Sequence, residues 1–421
     1  MRWLCNVWIV AAASLAVLNL YPPASFGFGD WRQFRGNWSS GVEANAKLPT
    51  EWIDGEQSKN IGWKVALTGR GLGSPIVVGG RVFVTCSSGF HQDRLHVLCF
   101  DAAKGQKLWE RQFWATGRTM THPKTCGAAS SPCSDGQRIF ALFSSNDVAC
   151  LDLEGNLQWY RGISLDFPNC SNSLGMASSP IVIGDTLITQ TENDADSFAS
   201  GLDVYTGETR WKRARPKRAN WSSPSAITES SGEVLALLQA SAGVEAVRPM
   251  TGEVIWSYKS GASTIPSLVV SDGVAYVPSN GLTALQSEAG KSEPKQLWNI
   301  GKLGPGTPSP LVLDKKIYVT GAAGVVTCAS LEDGKSEWQL RLTGPFTASP
   351  VAAGDRLYYV NEAGVCQVVQ LGGEKGELVG TSELKLGKQE PADLIQGTPA
   401  ISDHALFIRS DAFLWKIAET K

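Results

Sequence analysis

The chain has 421 residues, 43% of them hydrophobic, and a net charge of −2. It is long enough to bury a full core, and its near-neutral charge excludes a general electrostatic attraction to nucleic acid or an anionic membrane surface. Fifteen Trp and 44 Gly beside four Met and four His point to a repetitive β architecture with one aromatic dock per unit.

The first segment, residues 1–27, carries Arg2, an apolar run from Val7 to Leu20 and small residues at Ala24 and Gly27, which is the plan of a cleaved secretory signal. The run is interrupted by Ser14 and Asn19 and is shorter than the roughly 20 apolar residues a spanning helix needs, so no membrane span is expected. Cys5 precedes the run, so it is not the acylated cysteine of a lipoprotein. An exported chain, periplasmic or extracellular, is the expectation.

From residue 61 onward two phrases alternate. The first is an inner phrase such as GSPIVVGGRVFV or SSPIVIGDTLIT, and its prolines are Pro75, Pro132, Pro180, Pro224, Pro266, Pro310, Pro350 and Pro399. The second is a small-residue strand, a Gly turn and a Trp, as in CFDAAKGQKLW (99–109), GLDVYTGETRW (201–211), AVRPMTGEVIW (246–256) and CASLEDGKSEW (328–338). CLDLEGNLQW (150–159) is one residue shorter, and ALQSEAGKSEPKQLW (284–298) has a longer turn.

Eight units at a spacing of roughly 40–57 residues, each giving four short strands, predict an all-β, eight-bladed β-propeller. Proline opens the innermost strand, where no ladder donor is lost, and Gly-Asp or Asp-Gly turns into the second. The eighth unit stops after Phe413–Ala418, one strand short. The stretch Ile61-Gly62-Trp63-Lys64-Val65 supplies that strand from the other end and closes the ring, which removes an open sheet edge. Trp63, Trp109, Trp159, Trp211, Trp256, Trp298 and Trp338 are then wedges between blades, while the seventh unit, GELVGTSEL, has none.

The Ser-Pro phrase, the small-residue strand, Thr-Gly and the terminal Trp resemble the repeats of the PQQ-like propellers, the quinoprotein alcohol dehydrogenase-like family. The resemblance covers nearly all of residues 61–418. The leader Trp31-Arg32-Gln33-Phe34-Arg35-Gly36, with Leu48-Pro49-Thr50-Glu51-Trp52, resembles the segment before the propeller in secreted bacterial members. Residues 28–60 are accordingly read as a cap lying across the ring, and 61–421 as the propeller.

The family implies two functions. One is a non-catalytic scaffold that holds protein partners, as in the propeller lipoprotein of the outer-membrane barrel-assembly machinery. The other is oxidation of alcohols or sugars with pyrroloquinoline quinone and Ca²⁺, the cofactor held between a Trp and a disulfide of adjacent cysteines. No two cysteines are adjacent here, and no calcium constellation matches residue by residue. The expectation is a binding propeller without catalytic residues or metal. The dehydrogenase is the first alternative, and a glycan binder using Trp38, Trp114 or Trp221 the second.

Removal of the signal leaves eight cysteines. Cys99, Cys150 and Cys328 share one repeat position with Gly201, Ala246 and Ala284, and Cys133 takes the place of Ile76 and Ile181, so they serve as small hydrophobes. Cys86 and Cys366 also read as internal strand residues. Cys126 and Cys170 lie in loops entering consecutive units, where a bridge between them is one reading and two unpaired thiols the other.

The histidines, His91, His96, His122 and His404, show no metal-ligand spacing. Glu192-Asn193-Asp194-Ala195-Asp196 lacks the glycine and distal Glu of a calcium loop and reads as a solvated acidic loop. Gly69-Arg70-Gly71-Leu72-Gly73 leads into a strand and so is not a dinucleotide fingerprint.

Function in a propeller resides in its loops. Those entering units two, three and four, at 115–128, 164–177 and 212–222, are longer than those entering five to seven. The candidate contacts to a protein, small-molecule or glycan ligand are therefore His122, Lys124, Cys126, Asp166, Asn169, Cys170, Asn172, Arg213, Arg215, Lys217 and Arg218. The basic run among them would focus an acidic ligand toward the channel mouth.

Overall fold

A computed structural model describes residues 29–170, 174–389 and 391–420. The predicted secretory signal (residues 1–27), Cys5 and the candidate contact Asn172 lie outside the described residues. The structure is an eight-bladed β-propeller. In blade 1 the strands Ile76–Val78, Arg81–Ser88, Arg94–Asp101 and Lys107–Trp114 run outward from the axis, each antiparallel to the last. The other blades repeat that order. The longest helical turn among the described residues is Ile163–Asp166.

Closure is as the sequence predicts. Ile61–Ala66 is the outermost strand of blade 8, paired with Phe413–Ile417 in the register Ile61↔Ile417 and Val65↔Leu414.

Every blade has a register shift between its third and fourth strands beside the Trp position. A bulge of this kind re-aims a side chain, and here it sets the ring against the turn of the next blade. Trp63, Trp109, Trp159, Trp211 and Trp298 donate their indole N–H to the carbonyls of Ala102, Leu153, Val204, Pro249 and Leu331, each shortly before the turn glycine that lies under the ring. Trp338 also covers a turn glycine, Gly376, by the Cζ2–Cη2 edge of its ring. The turn and the Trp are thus two halves of one contact.

Trp256 differs. The longer turn of blade 5 carries Gly290 away from it, so its N–H goes to Glu229 of its own blade at 3.1 Å, and Ser292 instead accepts from the N–H of Ser257. In blade 7 the Trp position is Gly380, where a Cβ would stand 2.0 Å from the Thr50 carbonyl. The leader segment crosses at this point, with the N–H of Trp52 on Ser382 Oγ at 2.8 Å and its ring buried in the core between blades 7, 8 and 1.

A second repeat contact lies on the axis. The backbone N–H of Ser74 donates to Ser131 Oγ at 2.8 Å, and the pattern continues through Ser179, Ser223, Ser267, Ser309 and Ser349 to Thr398. From blade 1 round to blade 8, each blade is stitched to the next by one hydroxyl. This ring corrects the predicted register of unit five. Ser267 takes the serine position there, so the proline position belongs to Leu268 and Pro266 falls two residues early.

The leader closes one end of the axis. Trp31 bridges Val77 of blade 1, Val42–Glu43 adds a parallel strand to Val351–Ala353 of blade 7, and the wholly buried Arg35 side chain donates to the carbonyls of Leu268 and Pro310.

Candidate functional site

At the opposite end the loops between blades surround a funnel of about 630 Å³. Its upper wall is apolar, formed by Leu72, Leu174, Trp221, Ile265 and Phe346. Lower down it is lined by the hydroxyl ring, and Phe34 of the leader reaches it from below. The side chains of its wall with ionisable groups are His122, Lys124 and Glu362. Glu362 accepts the Thr347 hydroxyl at 2.5 Å, and His122 Nδ1 accepts the Lys124 backbone N–H at 3.1 Å. Trp221 gives its N–H to the Gly175 carbonyl at 2.9 Å, so the ring offers only apolar surface. The Oε1 of Gln396, another wall residue, is buried without a partner.

Of the predicted contacts, His122 and Lys124 line this funnel. The others do not. Asp166 sits at the outer rim, paired with Arg161 at 2.6 Å, and Asn169 is exposed, with its carbonyl accepting from the Asp196 N–H. Cys126 and Cys170 are buried in different core clusters, and all eight described cysteines are free. The bridge is therefore not formed. Burial pushes the Cys126 thiol up to about 12 and raises that of Cys170, which keeps both protonated.

The basic run is corrected as well. Arg213 makes a two-point contact with Glu245 of blade 4 at 2.9 and 2.7 Å, and Arg215 is buried between Glu245 and Glu192. These charges clamp blade 3 to blade 4 and are not free to focus a ligand. Glu192 is accordingly a buried ion-pair partner and not part of a solvated loop. Burial raises its carboxyl, against the pull of Arg215. Burial also works to raise Glu245, but the hydrogen bond from Arg213 and the charges of both arginines hold it below the usual range. Lys212 pairs with Asp196 and lies 3.9 Å over the Phe167 ring. Lys217 and Arg218 are exposed and stand apart from the funnel wall.

His96 is a packing residue. It is buried between Ser88 Oγ at 2.7 Å and Glu110 Oε1 at 2.8 Å, joining three strands of blade 1 away from the funnel. The sequence reading missed the hydroxyl ring, although its signal was present, since a serine or threonine precedes the proline in seven of the eight inner phrases. Ile265, Phe346, Glu362 and Gln396 carry no local signal and are gathered only by the ring geometry.

The sequence matches the family described as outer membrane protein assembly factor BamB over residues 54–174, 171–285 and 278–410. The chain belongs to this family of PQQ-like propellers. BamB from Moraxella catarrhalis is 15% identical, with 85% of this chain and 97% of that one covered and a TM-score of 0.61. A europium-containing methanol dehydrogenase is 14% identical, with 90% and 89% covered and a TM-score of 0.65. A quinohemoprotein alcohol dehydrogenase from Comamonas testosteroni is 11% identical, with 93% and 81% covered and a TM-score of 0.63. At these identities the likeness is one of fold. No curated protein matches the sequence.

The quinone cofactor and Ca²⁺ that part of this fold family implies do not fit the residues present. A quinone bearing several carboxylates meets one lysine and one histidine in the funnel wall, and the cysteines are buried in the core apart from it. Among the described residues no three His, Cys, Asp or Glu converge as metal ligands, and Glu362 stands as the single carboxylate of the wall.

Proposed function

We propose that the protein is an exported, non-catalytic propeller that holds a ligand or a protein partner at its loop face, seated in the axial funnel. The observation that carries this reading is the funnel itself. It is preformed and concave, with apolar walls and a few polar groups, which is the character of a binding pocket, and its ionisable groups are not arranged as nucleophile, base and orienter. The two family relatives with opposite functions, BamB and the dehydrogenases, share the scaffold and leave function to the site. Among the described residues no helix is long and apolar enough to cross a membrane.

The test has two arms. Purified chain is titrated with pyrroloquinoline quinone with and without Ca²⁺, then assayed for dye-linked oxidation of alcohols and sugars. Turnover would overturn the reading. In the second arm a photo-crosslinking residue replaces Ile265 in the funnel wall or Leu157 on the outer rim of blade 2. A specific adduct from position 265 and none from 157 supports a seat in the funnel, while the reverse places binding on the rim.

A further inference from the structure

We propose that the funnel is built for an amphipathic monocarboxylate, an apolar body ending in a single carboxylate that rests on the hydroxyl ring. This inference rests on the reading of the funnel as the binding site and names its ligand class.

Three features converge on that chemistry. First, each hydroxyl from Ser131 round to Thr398 uses a lone pair to accept a backbone N–H from the blade before it. Among the described residues none of these hydroxyls has an acceptor for its own proton. Eight hydroxyl side chains thus form the ring, and seven already have a lone pair engaged, so what they offer a guest is chiefly O–H donors. A ring of donors selects a group rich in acceptor oxygens.

Second, a positive charge lies beneath that ring. Arg35 is fully buried and donates to the carbonyls of Leu268 and Pro310, the residues that directly follow Ser267 and Ser309. Among the described residues no carboxylate lies within ion-pair distance of it, and its Nε is buried without a partner. Burial lowers its pKa to about 9, which leaves it charged at neutral pH. A buried charge without a counter-ion is costly, and an anion on the ring supplies one. Lys124 and Glu362, on the funnel wall, add one cation and one anion. Arg35 thus offers one buried cation, which one carboxylate matches.

Third, the wall above the ring is apolar, with the Trp221 N–H already engaged by Gly175. A ligand that reaches the ring must pass an alkyl or aromatic body along Leu72, Leu174, Ile265 and Phe346. The volume of about 630 Å³ lies within the range of small-molecule pockets.

Calorimetric titration of the purified chain at pH 7 with octanoate, 1-octanol and octylammonium separates head-group charge from apolar burial. The expected result is octanoate binding about tenfold or more tighter than octanol, with octylammonium weakest, where tenfold is about 1.4 kcal/mol. Arg35→Met is expected to bring octanoate down to the affinity of octanol while leaving octanol unchanged, so retained octanol binding also shows that the variant is folded. Ser267→Ala together with Ser309→Ala provides a second route to the same loss if Arg35→Met does not fold. Octanoate no tighter than octanol overturns the carboxylate assignment and leaves the funnel as a binding site. No heat from any of the three also overturns it, and crosslinking at position 265 then decides separately whether the funnel seats a partner.

Discussion

The contact between Trp211 and Gly252 gives a test of how the ring is held together. Trp211 is nearly buried and its indole N–H meets the Pro249 carbonyl at 2.7 Å. Gly252 lies under the ring with φ of +69°, and a Cβ there would stand 2.6 Å from Trp211 Cδ2. Trp211→Ala removes a buried aromatic and is expected to cost about 3–5 kcal/mol. Gly252→Ala adds the left-handed backbone penalty, roughly 1–2 kcal/mol, to an overpacking cost of roughly 1–3 kcal/mol. In the Trp211→Ala background the second cost disappears, since nothing remains for the methyl group to strike. The double variant should therefore be more stable than the sum of the singles predicts, by about 1–3 kcal/mol. Urea unfolding followed by far-UV circular dichroism measures all four corners without relying on tryptophan emission. Additivity within about 0.5 kcal/mol would refute the claim that turn and Trp act as one unit.

Deleting residues 61–67 should abolish soluble monomeric protein, because Phe413–Ile417 loses its outer partner; a cooperative unfolding transition in the truncated chain would count against closure as a condition of folding. Arg213→Met should destabilise the fold at neutral pH. Because Glu245 is held low in the folded state, the stability it contributes is present above the unfolded carboxyl pKa of roughly 4.3 and is lost as pH falls through the folded value. The gap between wild type and variant in urea midpoint should accordingly shrink from pH 7 to pH 3, and a constant gap would exclude the ion pair as its source. The eight described thiols should be silent to a thiol reagent in the native protein and react on unfolding; two or more disulfides by mass spectrometry would contradict their burial as free side chains.

The blade count and the closing strand were legible in the sequence because both arise from short-range patterns repeated along the chain. A proline that opens a strand, a turn pair and a Trp at fixed spacing need no knowledge of distant residues. Trp256 and Pro266 are departures within that same grammar. A longer turn in blade 5 removes the usual glycine from Trp256, and a two-residue offset is invisible until hydrogen bonds fix the register. The site was less legible for a different reason. Arg213 and Arg215 look like free charges in a basic run, because their partners Glu192 and Glu245 lie outside that run and one of them belongs to the next blade. Arg35 is separated by more than 200 positions from the carbonyls it meets, so nothing local marks it as the floor of a channel.

The pairing of Ile61 with Ile417 also sets an order of events. A strand made early in synthesis has to wait, unpaired, until Phe413–Ile417 emerges before it finds its neighbour. Contacts this distant in sequence carry a loop-closure cost that is met only at the end. The blades can form one after another, but the circle becomes a circle in a single late step. A break that frees Phe413–Ile417 would thus reopen the ring at the joint between the two ends of the propeller.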